Sequence, residues 1–587
     1  MLKLLRKTSM KERIAIIISI LFIMVQVWLE LKIPDYLAEI TTLLQTAGTT
    51  VSDIFSPGSI MVTLSLLSLV ASIIVGYIAS KVAAGLTERI RGDVFNKVMD
   101  YTPGEIKQFS IPSLITRTTN DITQIQLVIA IGLQVVIKGP ITAIWAITKI
   151  ADKNWQWTAA TGVAVLVLLI MLSTILIFVQ PKFARIQKLT DKLNSLTREN
   201  LQGIRVVRAY NAEGYQNGKS LEANEELTNV NLFTSRMMAI MNPGMSIISS
   251  GLALSVYWIG AHLINEAGLQ ERITLFSDMV VFSSYAFQVV LGFMLMTIVF
   301  LILPRALASA KRINEVLELD PSIAFVKESE KPANGKGTVT FNNVTFAYPN
   351  AAEPVIKDIN FTANAGDTVA FIGSTGSGKS TIISLIPRFY DVTEGQILID
   401  GNDIKSYSHQ DLNEKIAYIP QNPFLFSGTI RSNMNFGHSS KLPEEDTEIY
   451  QALALAEAKD FVLQKEDQLE SHVAQAGANF SGGQKQRLSI ARAIARKAEI
   501  LIFDDSFSAL DYKTDKTLRH NLSEQISDTT KLIVAQRIST IMDADQILVL
   551  DEGKVVGQGT HKELLESNQV YQEIAYSQLS KEELNNG

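Results

Sequence analysis

Long apolar runs break up the N-terminal half of this 587-residue chain, and they restrict its fold more than any other feature. Ile14–Leu31 is almost unbroken hydrocarbon, and comparable runs follow at about Ile60–Ala79, Val128–Ile150, Thr158–Val179, Met245–Ile264 and Met279–Leu303. Each is close to the roughly 20 residues that a helix needs to cross a bilayer. Inside hydrocarbon, backbone N–H and C=O groups must be bonded within their own segment. Six such runs therefore predict six membrane-spanning α-helices. The first run has no small-residue cleavage site and is expected to remain as a span.

Flanking charge sets the orientation. Met1–Arg13 is basic, whereas Pro34–Pro57 contains no Lys or Arg. Lys81, Arg89, Arg91, Lys97, Lys107 and Arg117 lie between the second and third runs, and a longer basic segment, Lys182 to Arg236, lies between the fourth and fifth. Positive residues stay inside, so both termini are predicted to be cytoplasmic and the chain to sit in the cell membrane, against lipid. The inner segments are long and helical in character, so the spans should extend into the cytosol. The outer connection Ala151–Trp157 is a short turn whose Trp155 and Trp157 suit the membrane interface. Lys138, beside Gly139-Pro140 in the third run, is an expensive charge. Two readings stay open for it: a group on a substrate pathway, or a structural partner of a kinked helix.

Beyond Leu319 the composition changes. Residues 1–319 read as an all-α membrane domain, 320–337 as a linker with Pro321, Pro332, Gly335 and Gly337, 338–575 as a soluble α/β domain, and 576–587 as a polar tail. Strands are predicted at Val339–Phe341, Val369–Ile372, Gln396–Ile399, Ile416–Ile419, Ile500–Phe503, Lys531–Ala535 and Gln546–Leu550, with helices covering both faces of a sheet. A net charge of −6 gives no reason to expect nucleic acid. The absence of cysteine excludes disulfides and thiolate chemistry.

Within this second half, Gly373-Ser374-Thr375-Gly376-Ser377-Gly378-Lys379-Ser380 follows a predicted strand and precedes a predicted helix that starts near Thr381. In that setting G-x-x-x-x-G-K-S is a phosphate-binding loop. Its glycines let successive N–H groups face phosphate oxygens, and the helix N-terminus adds to the field. Lys379 is expected on the β- and γ-phosphates of ATP, and Ser380 on Mg²⁺. Leu501-Ile502-Phe503 feeds a carboxylate, Asp504, placed to hold the same Mg²⁺.

Between these two motifs stands Phe480-Ser481-Gly482-Gly483-Gln484, which opens a helix. In that position it resembles the signature of ATP-binding cassette (ABC) proteins. The resemblance extends across the soluble half: Tyr348 resembles the aromatic that stacks on adenine, Gln421 the glutamine that reaches Mg²⁺ and the attacking water, and Ser508-Ala509-Leu510-Asp511 the D-loop. Six spans before one cassette resemble the half-transporters of ABC exporters. That resemblance implies two cassettes closing head to tail, with ATP between the Walker motifs of one and the signature of the other. It also implies coupling helices on the inner loops, expected at about Leu114–Asp121 and Ala209–Glu213.

The chain departs from the family pattern where catalysis is expected. Asp505 stands where the family has a catalytic Glu, and Gln536 where it has a switch His. Phe480 replaces the usual signature leucine, and Val473-Ala474-Gln475-Ala476-Gly477 departs from the usual exporter loop. These departures resemble the degenerate-site subunit of heterodimeric bacterial multidrug exporters. Such a subunit binds ATP, hydrolyses it poorly at its own site, and lends an intact signature to a partner half-transporter with its own Glu and His. The expected cargo is a hydrophobic or amphipathic small molecule. A lipid or peptide exporter subunit, and a regulatory membrane subunit that uses ATP as a clamp, are the alternatives.

Overall fold

The computed structural model describes residues 1–587 except 47, 152, 330–335, 350, 438–441, 444, 581–583 and 585–587, together with the side chains of 269, 270 and 298–301. Part of the predicted linker (330–335) and part of the predicted tail thus lie outside the described residues. The chain forms two compact units, Met1–Met99 with Ile111–Leu319, and Asp100–Ser110 with Asp320–Gly587.

In the first unit, six helices are long and apolar enough to cross a membrane among the described residues: Met10–Gln45, Val51–Met99, Ile111–Ala151, Trp155–Gln202, Glu213–Glu266 and Glu271–Glu318. They run well beyond the apolar runs, as the helical character of the flanking segments suggests. The first helix continues through Pro34 to Gln45, so the connection to the second is far shorter than Pro34–Pro57. A capping box on Ser9 and Glu12 starts that helix. Trp157 is fully buried, and its indole donates to the Val256 carbonyl at 3.1 Å. It belongs to the core with Phe282 rather than to the interface; Trp155 is the exposed one of the pair.

The third and sixth helices meet at two glycines. A Cβ at Gly139 would lie 3.0 Å from the Gly292 carbonyl oxygen, and one at Gly292 would lie 2.9 Å from that of Gly139. Only glycine allows backbones this close. Lower on the same helices, Asp121 is fully buried and accepts from Ser309 Oγ at 2.8 Å and from Arg312 Nε at 2.7 Å, with Arg312 Nη2 as a further donor. Asp121 is therefore an internal strut of this unit.

The helix Pro103–Phe109, started by a capping box on Thr102 and Glu105, belongs to the second unit. Glu105 Oε1 also accepts from the Ser322 N–H at 3.2 Å. The first part of the predicted linker is likewise docked: Val326 bridges Ser408, and Phe325 lies edge-on to His409.

The second unit is built on β1 (Val339–Phe346), β2 (Ile356–Ala363), β3 (Thr368–Gly373), β4 (Glu394–Ile399), β5 (Asn402–Asp403), β6 (Ile416–Ile419), β7 (Gly428–Thr429), β8 (His472–Val473), β9 (Ile500–Asp504), β10 (Thr530–Val534), β11 (Gln546–Asp551) and β12 (Lys554–Gly559). A six-stranded sheet runs β12-β11-β3-β10-β9-β6, with all but β12 parallel, and an antiparallel sheet runs β2-β1-β4-β5. Strand alternation divides the core in two. Val369, Phe371, Ile500, Ile502, Leu532 and Val534 face the antiparallel sheet and the helix Lys379–Leu385. Their neighbours Ala370, Ile372, Leu501, Phe503 and Ile533 face the helical layer. The parallel strands are apolar throughout because both faces are covered.

Asp121→Ala leaves the Arg312 guanidinium without its buried carboxylate. Because Arg312 is partly exposed, the expected loss is about 2 kcal/mol, less than for a fully buried pair. A thermal melt of the full chain in detergent should show a lowered midpoint. The paired change Asp121→Leu with Arg312→Met should recover much of it.

Candidate active site

Parallel strands deliver their C-terminal ends to one edge of the sheet, where the following loops converge. Here β3 leads into Gly373–Gly378, β9 ends at Asp504, β10 leads to Gln536 and β6 leads to Gln421. The register fixes the convergence: Val534 lies opposite both Asp504 and Phe371, and Ile419 opposite Phe503.

The loop after β3 curls tightly. Gly373, Gly376 and Gly378 all have positive φ, and a Cβ at Gly373 would fall 2.0 Å from the Leu550 carbonyl oxygen. Lys379 folds back over the loop and donates to the carbonyls of Gly373 at 2.8 Å and Ser374 at 2.7 Å, with Ser377 Oγ at 3.4 Å. Burial pushes its ammonium pKa down, against the opposing pull of Asp505. No side chain caps the helix Lys379–Leu385, so the first-turn N–H groups have no intrahelical partner. A buried ammonium, glycine backbone with room for an anion, and uncapped N–H groups fit a polyphosphate.

Asp504 is buried and both its oxygens are engaged: Ser380 Oγ donates to Oδ1 at 2.7 Å, and the Tyr418 hydroxyl donates to Oδ2 at 2.9 Å. Serine hydroxyl, carboxylate and the nearby Gln421 amide form an all-oxygen donor set, which suits Mg²⁺. Burial, seconded by the Asp504 carboxylate, holds the Tyr418 hydroxyl pKa up.

Asp505 has a φ of 48°, a left-handed conformation uncommon outside glycine. Its N–H donates to the Val534 carbonyl at 3.0 Å, and its own carbonyl accepts from Ser508 Oγ at 2.9 Å. Its side-chain Oδ2 accepts from two amides, Gln536 Nε2 at 2.8 Å and Gln421 Nε2 at 3.2 Å. Burial, seconded by the neighbouring Asp504, raises the Asp505 pKa despite the Gln421 hydrogen bond. The Gln536 carbonyl accepts from Gln578 Nε2 at 2.8 Å, so the C-terminal helix Gln569–Gln578 steadies this loop.

Tyr348 bonds Thr381 Oγ1 at 3.1 Å and meets Tyr390 edge-on at 5.2 Å, with Lys107 Nζ 5.8 Å from its ring centre. Ser481 caps the helix Gly482–Ala495: its Oγ accepts from the Gln484 N–H at 3.3 Å, and Gln484 Oε1 accepts from the Ser481 N–H at 3.0 Å. Phe480 is buried in the helical core under Lys465, 4.6 Å from its ring centre, which accounts for an aromatic at this position. A Cβ on Gly482 would meet open space. Among the described residues no hydrogen bond joins Ser481, Gly482, Gly483 or Gln484 to the cluster around Lys379 and Asp504.

The structure thus brings the predicted residues to one sheet edge in three bonded groups: Lys379 with Gly373, Ser374 and Ser377; Ser380 with Asp504; and Asp505 with Gln421 and Gln536. Tyr348 bonds Thr381, in the helix that follows the loop. Thr375, Gly376 and Gly378 share the loop. Tyr418, Tyr390 and Lys107 escaped the sequence reading. Tyr418 was detectable as the residue beside β9 in a strand leading to Gln421, and the Thr102-Pro103-Gly104-Glu105 capping box marked the helix that carries Lys107.

Two family models match the chain: "ABC transporter transmembrane region" over residues 16–303 and "ABC transporter" over residues 356–508. An uncharacterised ABC transporter ATP-binding protein of Mycobacterium tuberculosis is 37% identical over 522 residues, 89% of this chain and 88% of its own length. An ATP-dependent lipid A-core flippase of Pseudomonas fluorescens is 32% identical over 496 residues, 84% of this chain and 81% of its own. A bacterial Atm1-family ABC exporter solved with ATP bound shares the fold, with a TM-score of 0.79 over 97% of this chain and 99% of that one at 23% identity.

The raised Asp505 pKa has a direct consequence for stability. A carboxyl that binds its proton more tightly in the folded state contributes stability at low pH and loses it as pH rises through the folded pKa. Asp505→Asn removes this titration. In the absence of nucleotide the variant should melt above wild type at pH 7.5, with the gap narrowing toward pH 4.5. An equal gap at both pH values would count against burial raising the Asp505 pKa in the folded chain.

Proposed function

This chain belongs to the ABC transporter family, with a membrane region and one nucleotide-binding cassette in a single chain, and we propose that it is the degenerate-site subunit of a heterodimeric ATP-driven exporter. The observation that carries this reading is the Asp505 carboxylate held between the Gln421 and Gln536 amides. An amide donates a hydrogen bond but cannot become a cation or take up a proton at neutral pH. Aspartate is also one methylene shorter than glutamate. A water held by Asp505 would sit back from the phosphate by about an ångström, a misplacement that costs on the order of a hundredfold.

Binding is a separate matter, and the residues suited to it are all in place. Lys379 exchanges the carbonyls of Gly373 and Ser374 for β- and γ-phosphate oxygens, and Tyr348 offers its ring to adenine. Thr375, Gly376, Ser377, Gly378 and Thr381 line the phosphate path with N–H and hydroxyl groups. Mg²⁺ held by Ser380, Asp504 and Gln421 supplies positive charge to the phosphates when bound. Ser481, Gly482, Gly483 and Gln484, with buried Phe480 behind them, stand apart from this cluster and are suited to complete the site of a second cassette. That partner half-transporter would bring its own Glu and His. ATP held at the degenerate site keeps the two cassettes together while the partner's site turns over. The chain sits in the cell membrane with both termini and the cassette in the cytoplasm. Its cargo is a hydrophobic or amphipathic small molecule. A lipid cargo is the second reading, favoured by the likeness to a protein named as a lipid A-core flippase.

Three single substitutions in the assembled heterodimer test the asymmetry. Ser481→Ala removes a preorganised contact at the competent site and should cut ATPase activity roughly a hundredfold. Lys379→Ala should weaken nucleotide binding at this chain's own site and cause partial loss. Asp505→Asn should leave most activity. If Asp505→Asn abolishes turnover while nucleotide still binds, Asp505 is a working base and the assignment fails.

A further inference from the structure

Lys138 poses a problem inside the membrane unit, and the structure gives it a partner. Its Nζ donates to Glu30 Oε1 at 2.8 Å, and the same oxygen accepts from Gln26 Nε2 at 3.0 Å and Ser68 Oγ at 3.1 Å. The first helix continues to Gln45, so Glu30 lies within it and not at its end. Three donors converge on Oε1, while Glu30 Oε2 has no hydrogen-bond partner among the described residues. Glu30 also lines a cavity of about 560 Å³ between the first, fifth and sixth helices. That volume suits a drug-sized molecule.

The lining of the cavity defines its ligand. Leu252, Val256 and Phe287 supply apolar surface; Ser284, Tyr257 and Gln288 supply acceptor oxygens. Glu30 is the one charged residue among those lining it, and no Lys or Arg lines it. An anion would meet the free Glu30 Oε2 and not the Lys138 ammonium, which is engaged with Oε1 and does not line the cavity. A cation would find the free Oε2 lone pairs, the nearby hydroxyl and amide oxygens, and an apolar wall for its body. Lys138 keeps Glu30 neutralised while the cavity is empty, which limits the cost of a carboxylate in the membrane.

We propose that this cavity is a binding site for amphipathic cations, with Glu30 Oε2 receiving the ammonium group and Phe287 and Leu252 the apolar body. The inference specifies the cargo of the exporter proposed above and rests on that reading for its biological meaning. The binding itself needs neither nucleotide nor partner.

The test uses the full-length chain in lipid nanodiscs without ATP. A benzophenone-bearing alkyltrimethylammonium is photolysed in parallel with its matched alcohol and matched carboxylate, and labelled peptides are mapped by mass spectrometry. The ammonium probe should label the stretches around Leu252 and Phe287 about tenfold more than the alcohol, and the carboxylate least. Glu30→Gln combined with Lys138→Met keeps the pair neutral and should abolish the preference for ammonium over alcohol. Ala253→Trp fills the cavity without touching the ion pair, and should lower labelling by the ammonium probe about tenfold. Equal labelling by all three probes, an ammonium preference that survives in the double variant, or undiminished labelling of Ala253→Trp overturns the proposal. If labelling behaves as expected in a chain that exports nothing, the cavity assignment stands and only the transport reading falls.

Discussion

Both oxygens of Asp504 are occupied from within the chain, and much of the nucleotide unit is arranged so that they are. A buried carboxylate with no adjacent cation must accept hydrogen bonds or lose its charge. Ser380 satisfies one oxygen from the start of the phosphate-loop helix, and Tyr418 satisfies the other from β6. These two bonds hold the ends of β3, β9 and β6 in fixed relation before any ligand arrives. The next residue does the opposite work. Asp505 turns through a left-handed conformation and engages Gln421 and Gln536, so two consecutive carboxylates serve two different sets of partners. One set is suited to holding a metal and phosphates; the other is where water would be activated. A chain can therefore lose the second function and keep the first, because the bonds that maintain Asp504 do not pass through Asp505.

The membrane unit meets the same constraint in a harsher solvent. Polar groups in hydrocarbon must find partners on neighbouring helices. Glu30 with Lys138 joins the first and third helices, Asp35 with Tyr285 joins the first and sixth, and the Trp157 indole bonds the fifth-helix carbonyl of Val256. At Gly139 and Gly292 the backbones approach closely enough that no side chain is tolerated. Each contact fixes one helix relative to another. Together they leave a cavity whose one charged wall residue is already part of the bracing.

Much of this was legible in the sequence, and the misses have physical causes. Helix count followed from hydrocarbon length alone, and the seven expected strands all occur: five are buried parallel strands that read as continuous apolar runs, and the other two, within β1 and β4, belong to the antiparallel sheet. β2 was missed although Ile356, Ile359, Phe361 and Ala363 mark its buried positions: one face is polar, so no apolar run announces it. The first apolar run was expected over Ile14–Leu31, whereas the helix runs on through Pro34 to Gln45. The contacts of Asp121 were invisible because its partners, Ser309 and Arg312, lie nearly two hundred residues away. A separation of 108 residues hid the Glu30–Lys138 pair in the same way. The phosphate loop, Asp504 and the two departures at Asp505 and Gln536 could be read directly, since local motifs carry them. That both glutamines would bond the same carboxylate oxygen could not, because that depends on the order β10-β9-β6 in the sheet.

The proposed weakness of this chain's own site is assigned to Asp505 and Gln536. Its most direct measurement is the ATPase rate of the purified chain alone carrying Asp505→Glu and Gln536→His together, beside wild type with equal ATP binding. Restoring the longer carboxylate and an imidazole should raise turnover by at least tenfold, with most of the gain requiring both changes. A wild-type chain that already hydrolyses ATP as fast as the double variant, with no second cassette protein present, would contradict it.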